Sequence, residues 1–160
     1  MERLWAPWRK TYIRNKKVSG CVFCRALQAS PKKDPENFIL LRSSHNFIIL
    51  NRYPYISGHL MVVPNRHVDS LEKLGDRARL DFLALLDQGL AALKRALKPQ
   101  GFNVGLNLGR VGGAGVRKHI HLHLVPRWGG DTNFMPLLAG TRVLSDTLRS
   151  TYKELVNALK

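Results

Sequence analysis

The chain has 160 residues, 44% of them hydrophobic and 23% charged, the balance of one folded domain rather than of a disordered tail. No run approaches the ~18 apolar residues of a membrane span, and the charged, proline-bearing N-terminus is unlike a secretion signal. A cytoplasmic enzyme is therefore the expectation, and its formal net charge of +15 favours anionic partners such as polyphosphates.

Much of the positive charge comes early, at Arg3, Arg9, Lys10, Arg14, Lys16, Lys17, Arg25, Lys32 and Lys33, with Trp5, Trp8 and Tyr12 interleaved. Such a mixture either stacks on bases and neutralises phosphates, or forms a solvated arm that its aromatics staple to the body. Cys21-Val-Phe-Cys24 follows. In a cytosolic chain this spacing is a redox pair, half of a zinc site, or accident. A redox pair usually opens a helix in a thioredoxin-like setting, and no parallel βαβ pattern follows here. Zinc needs two further ligands, and His45, His59, His67 and His119 are all candidates on spacing alone.

Residues 30–37 form a polar, proline-bearing turn, and apolar runs over 38–41, 47–50 and 60–63 are predicted strands. Their short connections favour antiparallel neighbours. Asp69 with Glu72 resembles a capping box, and Asp76 is the expected cap of the main helix. Leu80, Leu83, Leu86, Leu90, Leu93 and Leu97 make its apolar stripe, and Lys98-Pro99-Gln100-Gly101 ends it. A short strand then runs into a loop holding Gly109, Gly112, Gly113 and Gly115. The loop can serve as a backbone nest for phosphate oxygens or as a plain hairpin connection, and it lacks the context of a P-loop.

Residues 119–125 read His-Ile-His-Leu-His-Leu-Val. Period-2 alternation predicts a strand with His119, His121 and His123 on one face and Ile120, Leu122 and Leu124 on the other. Imidazoles in a row can divide the work of nucleophile, acid or base, and ligand orienter near neutral pH. A tri-histidine metal face would need the strand to curl around its ion. After the turn Pro126-Arg127-Trp128-Gly129-Gly130, residues Leu144, Leu148, Tyr152, Leu155 and Leu159 predict a second amphipathic helix. The sum is an α+β unit: an antiparallel sheet of about five strands with a long helix and a C-terminal helix. One domain over 1–160 is expected, with a basic arm and zinc half-site over 1–35, a catalytic core over 36–140 and a helix over 141–160.

The segment 119–125 resembles the histidine triad (HIT) superfamily of nucleotide hydrolases and transferases. Segments 3–13, 21–24, 51–68, 101–109 and 119–136 are similar in particular to its bacterial diadenosine tetraphosphate phosphorylase branch. The resemblance implies a HIT-like fold and an enzyme that cleaves dinucleoside polyphosphates. In it His121 attacks the α-phosphorus to form a nucleotidyl-histidine, and His123 holds the phosphate or leaving oxygen. It further implies Asn51 as ribose ligand and Asn107 as α-phosphate ligand. Gly113, Gly115 and Val116 would offer backbone N–H groups to the phosphates, with Thr132 and Asn133 near the distal ones. Cys21, Cys24, His67 and His119 would hold a structural zinc, and a divalent ion could accompany the substrate phosphates. Inorganic phosphate is the implied acceptor and a homodimer the implied assembly. The glycine loop is one residue longer than in many HIT hydrolases, as in the phosphorylase branch. Three other readings are a HIT hydrolase of dinucleotides or nucleoside phosphoramidates, a nucleic-acid deadenylase or binder, and a zinc-stabilised nucleotide sensor without turnover.

Overall fold

The computed structural model describes residues 20–131 and 146–160; the expectations placed on Trp5, Trp8, Tyr12, the cations before residue 20 and Leu144 lie outside the described residues. Helix α1 (Val22–Gln28), a 3-10 turn (Pro31–Lys33) and the one-turn helix α2 (Asp34–Asn37) precede strands β1 (Ile39–Arg42), β2 (Asn46–Leu50) and β3 (Leu60–Pro64). A second 3-10 turn (Leu71–Lys73), the long helix α3 (Asp76–Leu97), β4 (Gly101–Leu106), β5 (Leu122–Arg127) and α4 (Leu148–Leu159) follow. The strands form one antiparallel sheet ordered β1-β2-β3-β5-β4, the α+β architecture expected. No described helix is long and apolar enough to cross a membrane.

The central strands are covered on both faces. Ile48, Leu50, Leu60 and Val62 meet Phe82, Leu85 and Leu93 of α3 and Leu155 of α4. The alternate residues Phe47, Ile49, Met61 and Val63 meet Phe23 and Ala26 of α1. Every residue of β2 and β3 is therefore buried. Period 2 here sorts side chains between two apolar layers rather than between core and solvent.

Several local expectations need correcting. Segment 30–37 is helical rather than a simple turn, because its prolines sit in first turns where no N–H is needed. Asp76 does not cap α3: Gly75 holds the N-cap position, without a side-chain bond, and Asp76 is the first helical residue. The Asp69/Glu72 capping box is likewise absent; Ser70 is the N-cap residue and Asp69 binds Lys73 Nζ at 2.6 Å.

The leucine stripe holds over its second half, where Leu86, Leu90, Leu93 and Leu97 join the core, but not at its start. Leu80 and Leu83 are 69% and 56% exposed, whereas Phe82, Leu85, Gly89, Ala92 and Leu93 are buried. Small residues at 89 and 92 let the helix lie close on the sheet, and a stripe read from leucines alone passes over them. A Cβ at Gly89 would stand 2.8 Å from Leu124 Cδ2 and 3.7 Å from Ile48 Cδ1. Gly89→Val is expected to overpack this contact and cost about 2–3 kcal/mol, read as a lower urea midpoint. An unchanged midpoint would mean that the helix does not rest on the sheet at this point.

Candidate active site and metal centre

Ladder pairing in β5 begins only at Leu122, so His119 and His121 precede the strand on which they were expected. The alternation itself holds. Ile120 packs with Val68 and Leu74 and donates its N–H to Val68 O at 2.7 Å. Leu122 and Leu124 enter the α3-side core. His123 pairs with Met61 and Gly105, on the α1 side of the sheet, and glycine at 105 adds no side chain beside it.

The hydrogen bonds assign the tautomers. His121 Nδ1 lies 2.9 Å from His119 O. A carbonyl only accepts, so Nδ1 carries the proton and Nε2 keeps a lone pair, the state a nucleophilic imidazole needs. His59 Nδ1 accepts from Tyr55 N–H at 3.1 Å and from Asn51 Nδ2 at 3.3 Å, which puts its proton on Nε2. That proton is donated across 2.8 Å to His123 Nδ1. His123 therefore carries its own proton on Nε2, a buried donor with no hydrogen-bond partner among the described residues. The His121 and His123 rings stand 4.8 Å apart, edge to face. A lone-pair nitrogen beside an unused buried donor suits attack on an electrophile whose oxygen needs a hydrogen bond.

On spacing alone His59 is a candidate zinc ligand, and the structure makes it the partner of His123 instead. A signal for this lay in the sequence: His59 is two residues before Met61 and so shares the triad's face. Gly58 permits the approach to β3, with φ +83° and Leu93, Leu97 and Pro126 packed against it. His45 is exposed, its N–H turned to Asp81 Oδ2, and takes no part.

Burial, followed by the His123 and His121 charges, pushes His59 down to about 3, and burial followed by the His121 charge pushes His123 down to about 4. Burial also lowers His121 and His119, against the hydrogen bonds to His119 O and Pro64 O. All four are neutral at pH 7. Stability is therefore complete above the unfolded value near 6.5. It falls as pH drops toward 4, because the unfolded chain takes up protons that His59 and His123 refuse. Each contributes up to about 1.4 kcal/mol per pH unit in that window. Urea titrations between pH 4 and 8 are expected to show this slope, and His59→Gln to reduce it by about one proton. A slope that His59→Gln leaves unchanged would contradict the burial of a neutral His59.

The nucleotide-side expectations fare unevenly. Asn51 follows β2, but its Oδ1 accepts from Tyr53 N–H at 2.9 Å while its Nδ2 turns to His59. The amide thus braces the loop and His59, and its Oδ1 keeps a second lone pair. Asn107 follows β4 and faces Gly113, where a Cβ would lie 3.9 Å from its Nδ2. Within the glycine loop Gly113 N–H goes to Arg110 O and Ala114 N–H to Gly109 O. Both donors are used by turns inside the loop in this structure. Among the described residues no backbone carbonyl takes the N–H of Gly115 or Val116. Thr132 and Asn133 lie outside the described residues.

At the other end of the row, Cys21, Cys24, His67 and His119 converge, with donor atoms all within 4.8 Å of one another. His119 Nδ1 is 3.3 Å from Cys21 Sγ and 3.5 Å from Cys24 Sγ, and His67 Nδ1 is 3.2 Å from Cys24 Sγ. A tetrahedral N/S site has edges of about 3.5 Å, so the donor set fits a metal with little movement. His119 Nε2 donates to Pro64 O at 2.8 Å, which leaves Nδ1 as the ligand atom and orients the ring. Burial and the adjacent Cys21 push the Cys24 thiol up, a cost that a bound cation would reverse. Cys21 does open a helix, as the N-cap residue of α1, but its neighbours are imidazoles rather than a thioredoxin-like sheet.

The HIT domain family model matches residues 32–130. A Mycobacterium tuberculosis (strain ATCC 25618 / H37Rv) protein described as AP-4-A phosphorylase is 39% identical over 157 residues, which cover 94% of this chain and 80% of that protein. Among solved structures, a Zn-bound histidine triad family protein from Mycobacterium smegmatis is similar with a TM-score of 0.69 and 26% identity, over 88% of this chain and 93% of that one. A uridylyltransferase mutant shares the fold with a TM-score of 0.68 and 21% identity, over 95% of this chain and 50% of its own.

Proposed function

The chain belongs to the HIT domain family, and from that premise we propose that it is an enzyme cleaving dinucleoside polyphosphates by nucleotidyl transfer to His121, with inorganic phosphate as acceptor. The observation that carries this reading is the pairing of a lone-pair Nε2 on His121 with a buried, unused Nε2–H on His123. With diadenosine tetraphosphate, His121 Nε2 bonds to the α-phosphorus as the bond to the bridging oxygen breaks and ATP departs. His123 donates its hydrogen bond to the phosphoryl or leaving oxygen and offsets the charge that develops there. His59, neutral and donating to His123, keeps that donor in place. A phosphate oxygen then attacks the nucleotidyl-histidine, releasing ADP and restoring the His121 lone pair. Asn107 and the N–H groups of Gly115 and Val116 belong to the phosphate side of this proposal, and Asn51 to the nucleoside side. The excess of cations draws the polyanion in, together with any divalent ion bound to its phosphates.

Cys21, Cys24, His67 and His119 would hold zinc as a structural ion, since the protein fills all four positions and none is left for substrate. The outer edge of β4, which no further strand of the described residues pairs and where Val104 is exposed, is the proposed meeting place of two copies of the chain.

Incubation with diadenosine tetraphosphate, with and without inorganic phosphate, tests the reading. ADP and ATP in equal amounts, formed only when phosphate is present, are expected. AMP formed at the same rate without phosphate would make the protein a hydrolase.

A further inference from the structure

Phe23, inside Cys21-Val-Phe-Cys24, is neither a metal ligand nor a participant in the steps above, yet it touches two of the three triad rings. Its ring is edge-on to His119 at 5.4 Å and lies 5.0 Å from His121, tilted by 55°. It is 4% exposed, packed in the layer of Ile39, Phe47, Ile49, Met61 and Val63. The helix carrying it is fastened at both ends. At its start, Cys21 and Cys24 lie against His119 and His67. At its end, the Arg42 guanidinium donates to Ala26 O, Leu27 O and Ala29 O while Asp34 holds the same group through both carboxylate oxygens. A ring mounted in this way cannot draw back from His121 unless one fastening breaks.

We propose that Phe23 is a positioning residue for His121: packed at 5.0 Å on the imidazole, it holds the ring with Nδ1 on the His119 carbonyl and Nε2 toward the substrate. The proposal rests on the reading of His121 as nucleophile. The only hydrogen bond to the His121 ring among the described residues comes from its own chain, two residues back. One such bond leaves the ring free to turn about Cβ–Cγ, which would withdraw Nδ1 from the carbonyl and swing Nε2 off the line of attack. Phe23 at 5.0 Å and His123 at 4.8 Å are the rings packed against His121 among the described residues, and of the two only Phe23 is mounted on α1. The cysteine pair thereby acts on the reaction from a distance, because what fastens α1 also fastens the nucleophile.

Nitrogen-15 spectra of the full-length, metal-loaded protein with labelled histidine read the His121 tautomer directly. The wild type is expected to give a single Nδ1–H form, and Phe23→Ala a mixture of the two tautomers. In the same variant kcat for diadenosine tetraphosphate is expected to fall about 10–100-fold, the cost of a misplaced reacting atom, with KM within about threefold and the metal content per chain unchanged. Phe23→Leu, which refills most of the apolar volume, should recover the single tautomer and most of the rate. If Phe23→Ala fails to fold, Phe23→Val carries the same comparison against Phe23→Leu. A single Nδ1–H form retained in the truncated variant overturns the proposal. A rise in KM with kcat intact also overturns it, since Phe23 would then be a wall of the nucleoside pocket. The spectrum is recorded without substrate, so it decides on Phe23 even if His121→Ala remained active, a result that would end the nucleophile reading instead.

Discussion

His121→Ala is expected to remove turnover almost completely, by about four to six orders of magnitude in kcat, as when a covalent nucleophile is lost. The loss should appear in the first step. Wild-type protein quenched in mid-reaction should carry a nucleotide on the peptide containing residue 121, through a phosphoramidate that survives alkali and not acid. The variant should carry none. Its fold should persist, because the ring makes one hydrogen bond, to its own chain, among the described residues, and the flanking Ile120 and Leu122 still enter the core. A variant that kept a few per cent of wild-type kcat would rule out the covalent route. The electrostatics favour imidazole as the attacking group, since burial keeps the ring neutral at pH 7 and the proton it has is fixed on Nδ1.

Loss of the metal should produce the largest change in stability. Removing zinc with a chelator, or replacing one ligand by Cys24→Ser, is expected to cost about 3–5 kcal/mol. That is less than in a zinc finger, because the layer of Phe23, Phe47, Ile49 and Val63 still packs without the ion. For a chain of this size the melting temperature should fall by about 8–15 °C. Calorimetry with metal analysis checks both, and one zinc per chain should return with the lost stability. Protein that contains no metal as isolated and melts at the same temperature with and without chelator would contradict the proposal. Activity should fall together with stability, since His119 is two residues from His121 and lends it the carbonyl that fixes its proton.

Some of this was legible without coordinates. Alternation over 119–125 separated the histidines from the aliphatic residues correctly, because side-chain direction in an extended chain is a local property of two neighbouring peptides. Resemblance selected His67 and His119 for the cysteine pair, a choice spacing could not make. The pattern misled where more than one neighbouring residue can fill a position, or where small residues make the contact. Leucine periodicity placed Leu86, Leu90, Leu93 and Leu97 on the core side of α3 but also put Leu80 and Leu83 there, and it passed over Gly89 and Ala92, which add almost nothing to a hydrophobic pattern. Asp76 looks like a cap, but Gly75 occupies that position.

The sequence alone determined which residues could share a face, that the fold mixes an antiparallel sheet with helices, and which side chains have the chemistry of a metal ligand or a nucleophile. Those follow from covalent geometry and side-chain chemistry, which act over a few residues. Tertiary structure alone decided that His59 orients His123, that Phe23 rests on His121 and that Asn51 turns to His59. These contacts join positions from 8 to almost 100 residues apart along the chain. They are fixed by strand register and by a layer buried on both sides, and both exist only once the whole sheet has assembled.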